Sequence, residues 1–134
     1  MFDWLANPNR FNRITEKIQP CILFITIITL ISGLYFGLFD SPKDYQQGDA
    51  VRIMYVHVPS AWLASFLYFS LAISCVFYLV WKHPLADLVS SSIAPIGALF
   101  SALTLVTGSL WGKPMWGTWW VWDARLTSML VLFF

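Results

Sequence analysis

Four apolar runs separated by short polar segments set out the chain. Cys21 to Phe39 is nineteen residues without a charge. At about 1.5 Å of rise per residue that crosses a ~30 Å hydrocarbon core. The next run starts at Ile53 but meets Pro59, and proline suits the first turn of a helix. The second span is therefore predicted at 59–81, with His57 just ahead of it near the interface. The third, 88–110, is uncharged and carries Ser, Thr, Gly97 and Gly108, small residues that favour close helix approach. The fourth, 126–134, covers only about 13 Å as a helix. The pattern predicts an all-α polytopic membrane bundle, with three complete transmembrane helices plus the start of a fourth. Residues 1–134 form one integral-membrane domain that reads as the front of a longer protein, since a chain ending inside a bilayer would leave its carboxylate there.

The polar segments order the chemistry. Met1 to Pro20 carries Arg10, Arg13 and Lys17. The first span is too long for a signal-peptide core and no A-x-A site follows, so it reads as retained. Asp40 to Arg52 is a polar loop and Lys82 to Asp87 a short turn. The segment 111–125 opens W-G-K-P-M-W-G-T-W-W-V-W-D, thirteen residues of which five are tryptophan. Two glycines and a proline disfavour a single continuous helix, at about 1 and 3 kcal/mol each in a helix interior. Two readings stand side by side. One is an interfacial aromatic belt, where tryptophan is enriched. The other is a broken aromatic surface that receives a large flat apolar ligand.

Composition confirms the environment. The chain is 58% hydrophobic and 11% charged, with mean hydropathy +0.67, against ~25% charged in soluble domains. A net charge of +1 provides no basic field for nucleic acid. Cys21 and Cys75 both lie in apolar runs and form neither C-x-x-C nor C-x-x-C-H, so thioredoxin-like chemistry and covalent haem attachment are unsupported. Positive charges flanking the first span favour an inside N-terminus, with Arg10, Arg13 and Lys17 against Lys43 and Arg52. In either orientation the His57 loop and the tryptophan stretch share one face, and His83 lies on the other.

Candidate chemistry is sparse. A histidine near a helix start is commonly an interfacial polar residue; its functional reading is an axial ligand to haem iron, a role for neutral imidazole. Arg52 and Arg125 either snorkel to headgroups or clamp carboxylates such as haem propionates. Asp123 precedes an apolar run and reads as a helix N-cap, a role compatible with positioning a ligand. No nucleophile–base pair, phosphate loop or paired-carboxylate motif is present. A structural membrane subunit is the rival reading. A cytochrome b would need histidine pairs inside facing spans, and the predicted spans contain no histidine.

W-G-K-P-M-W-G-T-W-W-V-W-D-A-R resembles the WWD signature of the haem-handling proteins of cytochrome c biogenesis. With Y-V-H-V-P-S-A-W before the second span and T-G-S-L leading into the signature, the whole chain resembles the CcmC (haem exporter protein C) family. The resemblance implies a multi-pass protein of the bacterial inner membrane, with a cytoplasmic N-terminus and a periplasmic WWD segment. It implies haem b binding and haem lyase-like transfer to the chaperone CcmE, with CcmD, the CcmA–CcmB transporter and membrane lipid as partners. By motif, His57 is similar to the first axial histidine, and Trp111, Trp116, Trp119, Trp120, Trp122 and Asp123 to the WWD surface. Arg52 and Arg125 match its basic residues. The family's second axial histidine falls in a later loop, and no residue here matches it.

Overall fold

The computed structural model describes residues 8–134, so the first part of the polar lead, residues 1–7, lies outside the description. Four α-helices follow one another: α1, Pro8–Tyr35; α2, Val51–Trp81; α3, Pro84–Trp116; and α4, Ala124–Phe133. A π-helical turn, Phe36–Asp40, extends α1. Arg10–Asp40, Val51–Trp81 and Pro84–Trp116 are each long and apolar enough to cross a membrane, and Ala124–Phe133 is a shorter apolar helix. This is the all-α membrane bundle that the apolar runs predict. Helices suit such sequences because they satisfy every interior backbone group within the segment, which hydrocarbon demands.

Several helix boundaries differ from the sequence expectation, beginning with α1, which starts at Pro8 and runs through Pro20 where the apolar run predicts a start at Cys21. The second helix begins at Val51, not Pro59, and passes through the proline. Pro59 removes only the bond to the Tyr55 carbonyl, and the turn is reinforced where the Ser60 hydroxyl donates to the Val56 carbonyl at 2.7 Å. The third helix starts at Pro84, four residues before the expected 88, with proline in its first turn and extended His83 as its N-cap. Asp87 in that turn complements the positive end of the helix dipole. The predicted 82–87 turn thus shrinks to Lys82 and His83.

The core is a seam of small residues between α2 and α3. Where these two helices pack, the buried residues are Ser60 and Ala64 on α2 and Gly97, Ser101, Thr104, Thr107 and Gly108 on α3. The spacing 97, 101, 104, 108 keeps one face of α3 against α2. Three of the buried hydroxyls are satisfied within their own helices, Ser60 as above and, both at 2.7 Å, Thr104 by the Phe100 carbonyl and Thr107 by the Leu103 carbonyl, whereas the Ser101 hydroxyl has no partner among the described residues. Ala64 is the one buried apolar side chain among the described residues. Large apolar side chains face outward, because lipid is as apolar as they are and close packing, not water exclusion, holds the helices together. Tyr68 spans the assembly: its ring lies beside Gly97, and its hydroxyl donates to the Leu132 carbonyl near the end of α4. Helix α1 is almost wholly outward-facing. It joins the rest chiefly through the π-helical turn, where Gly37 closes on the Tyr55 side chain.

Candidate functional site

His57 stands inside α2, not ahead of it, six residues past Val51 and thus about 9 Å along the axis. It is half-buried against α3. Its Nδ1 is 3.0 Å from the Thr107 hydroxyl oxygen. A Cβ added to Gly108 would sit 3.1 Å from the His57 Cε1 and 3.9 Å from a Leu126 methyl. The imidazole therefore occupies a slot framed by α2, α3 and the first turn of α4, and glycine at 108 makes room for it. His83 caps the opposite end of α3. Helix α2 from His57 to Trp81 spans about 36 Å, so the two histidines cannot share a metal.

The tryptophan stretch begins as helix. Residues 111–116 continue α3 through Gly112 and Pro114, contrary to the expected break, because a proline this near the C-terminus sacrifices only one intrahelical bond. The helix ends at Gly117, whose left-handed φ of +75° suits glycine, and whose N–H donates to the Lys113 carbonyl at 3.0 Å. Lys113 Nζ donates to the Gly117 carbonyl, also at 3.0 Å. The chain then runs irregularly to Asp123.

The indoles form two edge-to-face pairs, the arrangement the ring quadrupole prefers. Trp111 and Trp116 lie 5.2 Å apart between ring centres, Trp120 and Trp122 5.5 Å. The rings therefore do not lie as one flat floor. Trp111 Nε1 donates to the Gln47 side-chain carbonyl at 2.9 Å. Trp120 is half-buried, and its Nε1 has no acceptor among the described residues. Trp116, Trp119 and Trp122 are exposed, at 42%, 55% and 76%.

Asp123 caps α4 as its sequence position predicts: one carboxylate oxygen accepts from the Leu126 amide at 2.8 Å. The other accepts from Arg125 Nε at 3.0 Å and Nη2 at 2.8 Å. The Leu126 amide, and after it Arg125, hold the Asp123 carboxyl below the usual aspartate range. The Arg125 guanidinium lies 5.6 Å over the Trp116 ring. At the start of α2, Arg52 Nη2 donates to the Ser41 carbonyl at 3.2 Å. Its Nε is 3.8 Å from Asp49, an ion pair too long for a hydrogen bond, and has no acceptor among the described residues. Lys43 hydrogen-bonds Asp49 and keeps its carboxyl low. Asp44 accepts from the Gln46 and Gln47 amides at 2.9 and 2.8 Å, fixing the turn that carries Gln47 to Trp111.

One end of the α2–α3 pair thus assembles a histidine, two guanidiniums and a set of indoles. No group of three His, Cys, Asp or Glu that could hold a bare metal ion occurs among the described residues. A lone imidazole suits a metal that arrives with its own in-plane ligands.

Comparison with known proteins bears on that chemistry. The family whose sequence model matches residues 1–134 is "CcmC: Heme exporter protein C". The chain belongs to that family. Relatives named "Heme exporter protein C" include one from Bradyrhizobium diazoefficiens, 54% identical over 129 residues, covering 96% of this chain and 49% of the relative. Another, from Haemophilus influenzae, is 53% identical over 137 residues, covering 100% and 56%. A candidate ccmC-like mitochondrial protein of cytochrome c biosynthesis from Marchantia polymorpha is 58% identical over 116 residues, covering 87% and 50%. The chain spans about half the length of these relatives.

The geometry adds three residues to those the sequence singles out: Gln47, Thr107 and Gly108. Thr107 and Gly108 are the T-G of the T-G-S-L that leads into the family signature, so a signal for them existed. Gln47 had none, because its contact with Trp111 joins residues 64 apart in the chain.

Proposed function

We propose that this family member binds haem b at the periplasmic surface of the bacterial inner membrane and passes it to the chaperone CcmE during cytochrome c maturation. The observation that carries the reading is that His57 and the exposed indoles lie toward the same end of the α2–α3 pair. In this reading the N-terminus is cytoplasmic and the tryptophan segment periplasmic. CcmD, CcmA–CcmB and membrane lipid are the companions that the family implies.

Haem is the cargo, and it supplies an iron with an open axial position, a broad apolar face and two carboxylates. The residues present fit each part. His57 offers an imidazole to the iron. Trp119 and Trp122 offer exposed aromatic faces, and stacking contributes about 0.5–1.5 kcal/mol beyond area burial. Trp111 and Trp116 brace the helical side of the same surface. Three donors suit propionates: Arg52 Nε and Trp120 Nε1, both buried without an acceptor, and the outer face of Arg125, 78% exposed. Asp123 holds Arg125 and caps α4. No hydrolytic or redox motif accompanies these groups, so the protein acts by holding and presenting haem, a haem lyase-like role.

The test replaces Trp119, Trp120 and Trp122 together by Ala and measures covalent haem on CcmE by haem stain, alongside membrane levels of the variant. Loading should be lost at normal membrane levels. Replacing Trp62 and Trp81, both outside the segment, should leave loading intact. A triple variant that inserts normally and still loads CcmE would make the segment an interfacial belt and the protein a structural subunit.

A further inference from the structure

We infer that Thr107 positions the His57 imidazole by accepting its Nδ1–H, which commits Nε2 as the nitrogen that meets the iron. The inference rests on the proposed axial role of His57 and names the residue and atom behind it. Thr107 has one hydroxyl proton. Its oxygen is 2.7 Å from the Leu103 carbonyl and 3.3 Å from the Thr104 carbonyl. A carbonyl cannot donate, so the short contact to Leu103 uses the hydroxyl's proton. The 3.0 Å contact to His57 Nδ1 then uses the imidazole's proton, which the Thr104 backbone carbonyl also faces. The neutral ring carries one proton, so Nε2 keeps its lone pair. Gly108, one residue on, brings the ring against α3 at a distance that a larger residue would prevent.

An imidazole that donates its second N–H is a more basic ligand and is fixed in rotation, and losing such a partner typically costs about 10–100-fold in affinity. Thr107 does not touch the iron in this arrangement; it acts through His57. Its place in the seam serves packing too, since its methyl and hydroxyl are buried between α2 and α3. The test must therefore separate tautomer from packing. Thr107→Val keeps the shape and removes the acceptor, and Thr107→Ser keeps the acceptor and removes the methyl.

The experiment uses the full chain in lipid nanodiscs with isotope-labelled histidine. Residues 1–134 hold two histidines, and the ring-nitrogen signals that disappear in His57→Gln identify those of His57. Nitrogen chemical shifts should report His57 protonated at Nδ1 and bare at Nε2. T107V, which leaves only the Thr104 carbonyl beside the ring, should weaken that preference and T107S should retain it. Titration with haemin, read at the Soret band, should show T107V weakened about tenfold to a hundredfold and T107S near the parent. A parent ring protonated at Nε2 overturns the inference by itself, even if T107V fails to reach the membrane. So does a T107V protein with the parent's tautomer and affinity. Unchanged haemin affinity in His57→Ala would instead remove the axial role, while the shifts still decide which nitrogen carries the proton.

Discussion

Adding one methyl group at position 108 tests the slot that holds His57. In Gly108→Ala the new Cβ would lie 3.1 Å from the His57 Cε1. Carbon atoms rest at about 3.5–4.0 Å, so the ring or the helix must yield by about 0.4–0.9 Å. Overpacking of this kind costs about 1–3 kcal/mol. Replacing glycine by alanine in a helix returns up to about 1 kcal/mol. The Leu126 methyl, at 3.9 Å, is an ordinary contact and adds nothing. With the full ~1 kcal/mol returned, a net loss of up to about 2 kcal/mol corresponds to as much as about a thirtyfold fall in affinity when haem requires the ring in its place. The assay is haemin titration of four proteins: parent, G108A, H57A and the double variant. In the H57A background the methyl meets no ring, so G108A should cost nothing there, and the cycle should show coupling about equal to the single-variant loss. Equal losses from G108A with and without His57 would refute the contact.

Removing the Asp123 cap, as in Asp123→Ala, should destabilise α4, read as a lower denaturation midpoint. Arg125→Ala should cost less, about 0–1 kcal/mol, because that pair is exposed. The Asp123 carboxyl is depressed below its ordinary value of 3.8 in the folded protein, so its contribution is full above that value and disappears as pH falls through the lower folded value. Asp123→Asn should accordingly flatten the acid limb of a stability profile. In the seam, Ser101 is fully buried and its hydroxyl has no partner among the described residues. Ser101→Ala should therefore be neutral or stabilising by about 1 kcal/mol, while Ser101→Leu should lower the midpoint by about 1–3 kcal/mol through overpacking.

Much of this architecture is legible in the chain because hydropathy alone sets where helices can lie. The small residues of 88–110 announce the seam, and Asp123 before an apolar run announces a cap. Proline misleads in both directions. Pro59 looks like a helix start and Pro114 like a break, yet each is absorbed where neighbouring turns keep their bonds. The cost of treating Pro59 as a boundary is the position of His57, which the local pattern puts outside the helix that in fact carries it. The π-helical turn leaves no trace in composition. The pairing of His57 with Thr107, and of Gln47 with Trp111, depends on the register of one element against another, which helical periodicity does not encode. The five tryptophans are plain in the sequence, but the two edge-to-face pairs, Trp111 with Trp116 inside α3 and Trp120 with Trp122 beyond it, depend on side-chain orientations that spacing does not encode.

The central claim is that His57 is the chain's link to haem iron. The most direct measurement is the Soret absorption retained by the protein purified from haem-replete membranes, compared among parent, His57→Ala and His83→Ala at matched protein levels. His83 is the internal control, since it caps the far end of α3, about 36 Å from His57 along α2. The account predicts that His57→Ala loses most of the band and that His83→Ala keeps it. Equal retention in the two variants, or a greater loss in His83→Ala, would contradict it.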